Sequence, residues 1–103
     1  MAGGRLRASA EPGGALRVTV SGRVQGVGFR HACYVEARRL GLWGWVRNSP
    51  AGDVELWVEG PSEEALDAML AWLHRGPPYA QVNEVRCDRV QPSGTYREFS
   101  IKP

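Results

Sequence analysis

Net positive charge and cysteine are both scarce in this chain, and each scarcity argues against a class of protein. Lys102 is the one lysine among thirteen basic residues, and the formal net charge is only +2. A dedicated nucleic-acid binder usually has a denser basic patch, so we expect no nucleic-acid partner. The two cysteines, Cys33 and Cys87, form no CxxC pair and have no histidine-rich cluster beside them. We therefore expect no metal site and two reduced thiols that pack as small buried hydrophobes.

Long apolar runs are absent as well. No stretch approaches the ~20 apolar residues of a membrane-spanning helix, and none has the form of a secretory signal. We therefore expect a cytoplasmic protein that makes no contact with a membrane. The length of 103 residues, with 43% apolar and 23% charged residues, is typical of one globular domain. We place this domain at residues 15–103, as a monomer, and interpret residues 1–14 as a flexible tail because they lack periodicity.

Hydrophobic periodicity and turn signals divide the domain into seven elements. The predicted strands are residues 15–22, 42–48, 53–60, 83–92 and 98–103, and the predicted helices are residues 29–41 and 61–76. The order is β-α-β-β-α-β with one further terminal strand, which is the ferredoxin-like α+β pattern. We expect an α/β sandwich in which a mainly antiparallel sheet carries both helices on one face. Since this fold hosts enzymes, metal carriers and RNA-binding domains alike, the function has to be argued from the site.

The stretch GRVQGVGFR, residues 22–30, joins the first strand to the first helix and contains three glycines, two arginines and no acid. Glycines with positive φ can turn several backbone N–H groups toward one point and form an anion site. The first turn of the following helix adds further unpaired N–H groups, and Arg30 can bind a phosphate or carboxylate through two parallel hydrogen bonds. The stretch therefore predicts a site for a small, doubly charged oxyanion such as phosphate.

Two familiar phosphate loops do not fit this stretch. The P-loop requires GK, which does not occur, and the dinucleotide fingerprint requires a third glycine where this chain has His31. A purely structural alternative stays open at this point: the glycines would form a tight turn, and Arg30 would pair with a surface carboxylate.

The run SGRVQGVGFR, together with GWVRN, which ends eighteen residues after it, closely resembles the acylphosphatase family. The resemblance extends over residues 16–102, nearly the whole domain. It implies a ferredoxin-like enzyme that hydrolyses the carboxyl–phosphate bond of a small acyl phosphate to a carboxylate and phosphate. It also implies that the reaction needs no metal ion and no cofactor.

The resemblance assigns the roles of individual residues. Arg30 and Asn48 would be catalytic, with Arg30 binding the phosphate and Asn48 holding the attacking water. A phosphate oxygen of the substrate would accept the proton. The backbone of the loop would form the phosphate cradle, made of Gln25, Gly26, Val27, Gly28, Phe29 and Arg30. Ser49 departs from the threonine that many relatives carry there; because the hydroxyl is kept, we expect a modest effect on the support of Asn48.

Other side chains near the motifs have weaker functional interpretations. We interpret His31 as a solvent-facing helix residue and His74 as a favourable cation at a helix C-terminus. Arg23 and Arg47 flank the two motifs and could raise the local positive potential, or could be ordinary exposed arginines.

Two further function classes compete with the enzyme. The first is a phosphate-binding or partner-binding domain without turnover. The second is an RNA-binding domain, but DVELWVEG lacks the aromatic RNP pattern and contains acids that repel a phosphate backbone.

Overall fold

A computed structural model describes residues 13–103. The predicted tail, residues 1–14, therefore lies outside the described residues except for its last two. The elements are β1 (Gly14–Arg23), α1 (Phe29–Arg39), β2 (Trp43–Asn48), β3 (Val54–Gly60), α2 (Glu63–Leu73), β4 (Gln81–Val90) and β5 (Phe99–Ile101). Within residues 13–103, no helix is long and apolar enough to cross a membrane.

The five strands form one sheet in the order β4-β1-β3-β2-β5. The pairs β1–β3, β1–β4 and β2–β3 are antiparallel, and β5 pairs with β2 in parallel. This arrangement confirms the predicted ferredoxin-like α+β fold and its additional terminal strand. It also separates β1 from β2, because β3 lies between them.

Both helices pack on the same face of the sheet. Alternate strand residues such as Val18, Val46 and Leu56 belong to one buried cluster with Phe29 of α1 and Leu66 of α2. The period of two in the strands and the spacing of three or four in the helices produce this shared apolar layer.

The two helices begin differently. Ser62 caps α2 by accepting a hydrogen bond from the N–H of Ala65 at 3.1 Å, and two acids follow in the first turn. The helix thus begins two residues after Pro61, because the serine side chain ends the preceding extended segment. Gly28 stands at the same position before α1 and offers no side-chain cap, and no acid lies in the first turn of α1. The positive end of α1 is therefore left without a negative partner from its own first turn.

The segment between β4 and β5, residues 91–98, folds across the outer face of the sheet and is called the outer loop below. Glu59 of β3 anchors the outer loop. Its carboxylate accepts hydrogen bonds from Trp57 Nε1 and from the backbone N–H groups of Ser93 and Gly94. Tyr96 also holds the outer loop on the sheet, since its hydroxyl accepts a hydrogen bond from Trp45 Nε1 at 3.0 Å.

The Glu59 carboxylate is only 3% exposed. Burial by itself would raise its pKa, but the hydrogen bonds from Trp57, Ser93 and Gly94 outweigh burial and lower the pKa of Glu59 below its ordinary value. A buried carboxylate is stable here because donors surround it.

The expectation that both thiols are buried is wrong for Cys87. Cys33 is fully buried on α1, and burial raises the pKa of its thiol far above the ordinary value. Cys87 pairs with Val18 but is exposed, because it lies on the edge strand β4, most of whose side chains are open to solvent. Strand alternation indicates on which face of the sheet a residue lies, but it does not indicate how far the two helices cover that face.

Candidate active site

The glycine loop, residues 24–28, links β1 to α1, and two of its glycines have a left-handed backbone conformation. Gly26 has φ 75° and Gly28 has φ 79°, a region that strongly favours glycine. A Cβ atom at either position would meet nothing within 4 Å. The backbone conformation, and not crowding, therefore requires glycine at both positions, and the space beside them is open.

A hollow of about 260 Å³ lies at this open side of the loop. Its lining residues come from the glycine loop, the first turn of α1, the end of β2 and β5. They are Val24, Gly26, Gly28, Phe29, Arg30, His31, Asn48 and Ile101.

The hollow brings Arg30 and Asn48 together, as the two motifs predict. Four of the six predicted cradle residues also line it: Gly26, Gly28, Phe29 and Arg30. Gln25 and Val27 do not; Val27 packs against the hydrophobic core instead. His31 is exposed as expected but also lines the hollow, which the sequence did not indicate. Its ring stacks on that of Tyr34, with the centroids 6.3 Å apart.

The residue that follows β5 holds the side chain of Arg30 in place. Nη1 of Arg30 donates a hydrogen bond to the carbonyl oxygen of Lys102 at 3.2 Å. A guanidinium has five N–H donors, so this bond orients the group and leaves donors for an anion. Within residues 13–103, the hydrogen-bond partner of Arg30 is this neutral carbonyl and not a surface carboxylate.

Asn48 is the last residue of β2 and pairs with Val54 across the β2–β3 turn. Ser49 stabilises this turn: its N–H donates to the carbonyl of Asp53 at 2.9 Å, and its Oγ accepts from the N–H of Asp53 at 3.2 Å. The hydroxyl therefore supports Asn48 through the adjacent backbone.

The side chain of Gln25 bridges the glycine loop and this turn. Its Nε2 donates to the carbonyl oxygens of Ser49 and Asp53, both at 2.9 Å. Sequence reasoning predicted a backbone role for Gln25 in the cradle and missed the side-chain bridge. A long polar residue inside a glycine-rich loop was the signal, but its partners lie more than twenty residues away.

Of the other candidates, Arg47 and His74 have structural partners, and Arg23 is exposed at the end of β1. Arg47 Nε pairs with Glu55 at 2.8 Å, and its guanidinium lies 5.1 Å from the centre of the Trp45 ring. Nδ1 of His74 lies 3.0 Å from the carbonyl oxygen of Leu70 at the end of α2, as a helix C-terminal position predicts. Among residues 13–103, no three His, Cys, Asp or Glu side chains are grouped closely enough to hold a metal ion.

A larger cavity of about 630 Å³ lies between α1 and the end of α2, lined by Val35, Trp72 and Pro77 among others. It contains neither motif. The smaller hollow is therefore the candidate active site, because it holds an uncapped helix N-terminus, a guanidinium and a carboxamide.

Three comparisons bear on this site. The family model described as Acylphosphatase matches residues 16–101. An acylphosphatase of Anaeromyxobacter dehalogenans is 50% identical over 86 residues, which are 84% of this chain and 91% of that protein. The crystal structure of acylphosphatase from Bacillus subtilis superposes with a TM-score of 0.82 at 37% identity, covering 86% of this chain and 98% of that one. HypF of T. kodakarensis, at 34% identity and a TM-score of 0.74, matches 85% of this chain but only 12% of its own length.

Proposed function

Because this chain belongs to the acylphosphatase family, hydrolases that cleave the acid anhydride of acyl phosphates, we propose that the hollow beside the glycine loop is its active site. Arg30 and the loop amides bind the phosphoryl group, and Asn48 positions the attacking water. One observation supports this assignment above the others: two side chains from distant parts of the chain line a single hollow at the uncapped N-terminus of α1.

The phosphoryl group would be bound by the positive end of α1. The N–H groups of the loop and the first turn are directed by the conformations of Gly26 and Gly28, and no acid in that turn competes for them. Arg30 adds charged donors that are already oriented by Lys102. Preorganised donors of this kind are worth about 3–4 kcal/mol each where charge develops in a transition state.

The water would be positioned by a group that is not a base. The Asn48 carboxamide is neutral and offers both a donor and an acceptor, so it can hold a water in line with the phosphorus. The water oxygen bonds to phosphorus while the bond between phosphorus and the carboxylate oxygen breaks. The proton of the water passes to a phosphoryl oxygen, and the products are a carboxylate and inorganic phosphate. Orientation supplies much of the acceleration because the substrate already has a good leaving group.

A second candidate function is phosphate binding without turnover. The likeness to a small part of HypF favours it, because a unit of this fold there belongs to a much larger chain.

One experiment separates the two functions. The chelator-treated protein is mixed with benzoyl phosphate, and its hydrolysis is followed with and without inorganic phosphate. We expect turnover that phosphate inhibits competitively, and a loss of about a hundredfold or more in kcat for Asn48→Ala. Asn83→Ala, at an exposed position on β4, is the matched control. Phosphate binding without hydrolysis by the wild type would favour the second function, and normal turnover by Asn48→Ala would refute the role of Asn48.

A further inference from the structure

The sheet joins the two halves of the hollow only indirectly. The glycine loop follows β1, and Asn48 ends β2, but β3 lies between these strands. The link passes through Val54 of β3, which pairs with Val20 of β1 and with Asn48 of β2. A direct contact from the loop to the turn after Asn48 would fix the distance between them more closely.

The carboxamide of Gln25 makes that connection. Both of its partners, the carbonyl oxygens of Ser49 and Asp53, can only accept hydrogen bonds, so the NH₂ group must face them. The two N–H groups of this NH₂ serve the two carbonyls, each at 2.9 Å. Both hydrogen bonds are partly buried. Water competes less well for donors and acceptors in such a place.

The partners of Gln25 are the two ends of the turn that follows Asn48. Ser49 is the residue next to Asn48, and Asp53 is bonded to Ser49 across the turn. A shift of Gln25 relative to this turn would therefore move Asn48 relative to the loop amides and to Arg30.

We propose that Gln25 is a positioning residue, whose side chain fixes the distance between the phosphate-binding loop and the water-holding Asn48. The inference rests on the proposed roles of these two parts and adds a residue that acts through the backbone of Ser49 and Asp53. Gln25 does not line the hollow itself. A misplacement of about 1 Å between reacting groups can reduce a rate about a hundredfold, so the effect should appear in kcat.

The test uses Gln25→Met, which has a similar length and no donor, and Gln25→Glu, which directs a carboxylate at two carbonyl oxygens. We expect kcat to fall about ten- to a hundredfold in Gln25→Met, while the inhibition constant of inorganic phosphate changes less than about threefold, because the loop amides and Arg30 remain. Gln91→Met, at an exposed position in the outer loop, is the matched control. Thermal unfolding and the concentration of folded protein are measured for each variant, so that kcat refers to folded molecules.

Gln25→Glu provides a readout that a loss of stability alone would not change. Protonation of the new carboxyl restores one O–H donor, so its kcat relative to the wild type should rise as the pH falls, and that of Gln25→Met should not. In the Asn48→Ala background, Gln25→Met should lower kcat little further, because the effects of residues that act as a unit are not additive.

A wild-type kcat in folded Gln25→Met would overturn the proposal. A parallel loss of phosphate affinity and kcat would also overturn it, since Gln25 would then support the loop itself. A failure of the proposed function would give a different result, because the Asn48→Ala single variant would then have normal activity.

Discussion

The guanidinium of Arg30 donates a hydrogen bond to the carbonyl oxygen of Lys102, which lies 72 residues further along the chain. The bond crosses from the first turn of α1 to the residue that follows β5, and Ile101 of β5 lines the same hollow. The orientation of Arg30, the side chain proposed to bind phosphate, therefore depends on the last described strand of the sheet.

Arg30→Lys should inactivate the enzyme although the charge is kept. A lysine ammonium lacks the planar fork that lets a guanidinium bind Lys102 and two phosphate oxygens together. We expect kcat/KM for benzoyl phosphate to fall about a hundredfold or more, and further still in Arg30→Ala. Arg86→Lys, at an exposed position on β4, serves as the control and should keep wild-type kinetics. Near-normal kinetics in Arg30→Lys would mean that charge alone is sufficient.

Inorganic phosphate should stabilise the folded protein, because it binds the hollow only when the loop and Arg30 are in place. At a concentration about 100 times Kd, the gain is about 2.7 kcal/mol, which thermal unfolding detects as a higher Tm. We expect Asn48→Ala to keep this increase and Arg30→Ala to lose most of it. Loss of the increase in Asn48→Ala would assign Asn48 to binding rather than to holding water.

Glu59→Gln should loosen the outer loop. The neutral side chain keeps one acceptor oxygen, but its NH₂ group would face either the N–H of Gly94 or the N–H groups of Trp57 and Ser93. We expect a loss of about 1–3 kcal/mol in the free energy of unfolding, measured in urea. Glu98→Gln, at an exposed position in the same loop, is the control and should change the free energy of unfolding little.

The lowered pKa of Glu59 also predicts a pH dependence. A carboxylate with a lower pKa in the folded state stabilises the fold fully above its unfolded-state pKa, about 4.3. This contribution is lost as the pH falls through the folded-state pKa. Wild type should therefore lose more stability than Glu59→Gln between about pH 5 and pH 3, and equal losses would contradict the role of the carboxylate.

The sequence predicted the fold well where a local pattern was sufficient. Leu16, Val18 and Val20 alternate with polar residues, and all three are buried in β1. The two motifs named Arg30 and Asn48, which line one hollow. Contacts made between distant segments were not predicted. The bridge from Gln25 to the turn, and the burial of Glu59 under the outer loop, depend on partners 24 to 35 residues away. No periodicity within one element carries that information.

Gly44→Ala should disrupt the centre of the sheet. Gly44 has φ 134°, and a Cβ atom there would lie 1.8 Å from the carbonyl oxygen of Trp57 on the neighbouring strand. Because that atom is backbone, β2 and β3 would have to separate, and we expect several kcal/mol of lost stability or no folded protein. Gly52→Ala is the control: φ is also positive, at 94°, but nothing lies within 4 Å, so only about 1–2 kcal/mol of backbone strain should appear. Equal losses in the two variants would contradict the close approach at Gly44.

The two thiols should differ in reactivity. Burial, together with the charge of Asp88, raises the pKa of Cys87, and Arg89 opposes the shift, but its thiol remains exposed. Cys33 has a pKa raised by burial alone and no access to reagent. Titration with Ellman's reagent should therefore modify one thiol in the native protein and both in denaturant. Modification of both thiols under native conditions would show that α1 opens readily.

The walls of the hollow come from both ends of the described chain, from Val24 to Ile101. A nascent polypeptide on the ribosome cannot complete this hollow until β5 has left the exit tunnel. Because the sheet depends on such distant pairings, the chain should fold more slowly than a helical bundle. The onset of hydrolysis during refolding would then report the last step of assembly.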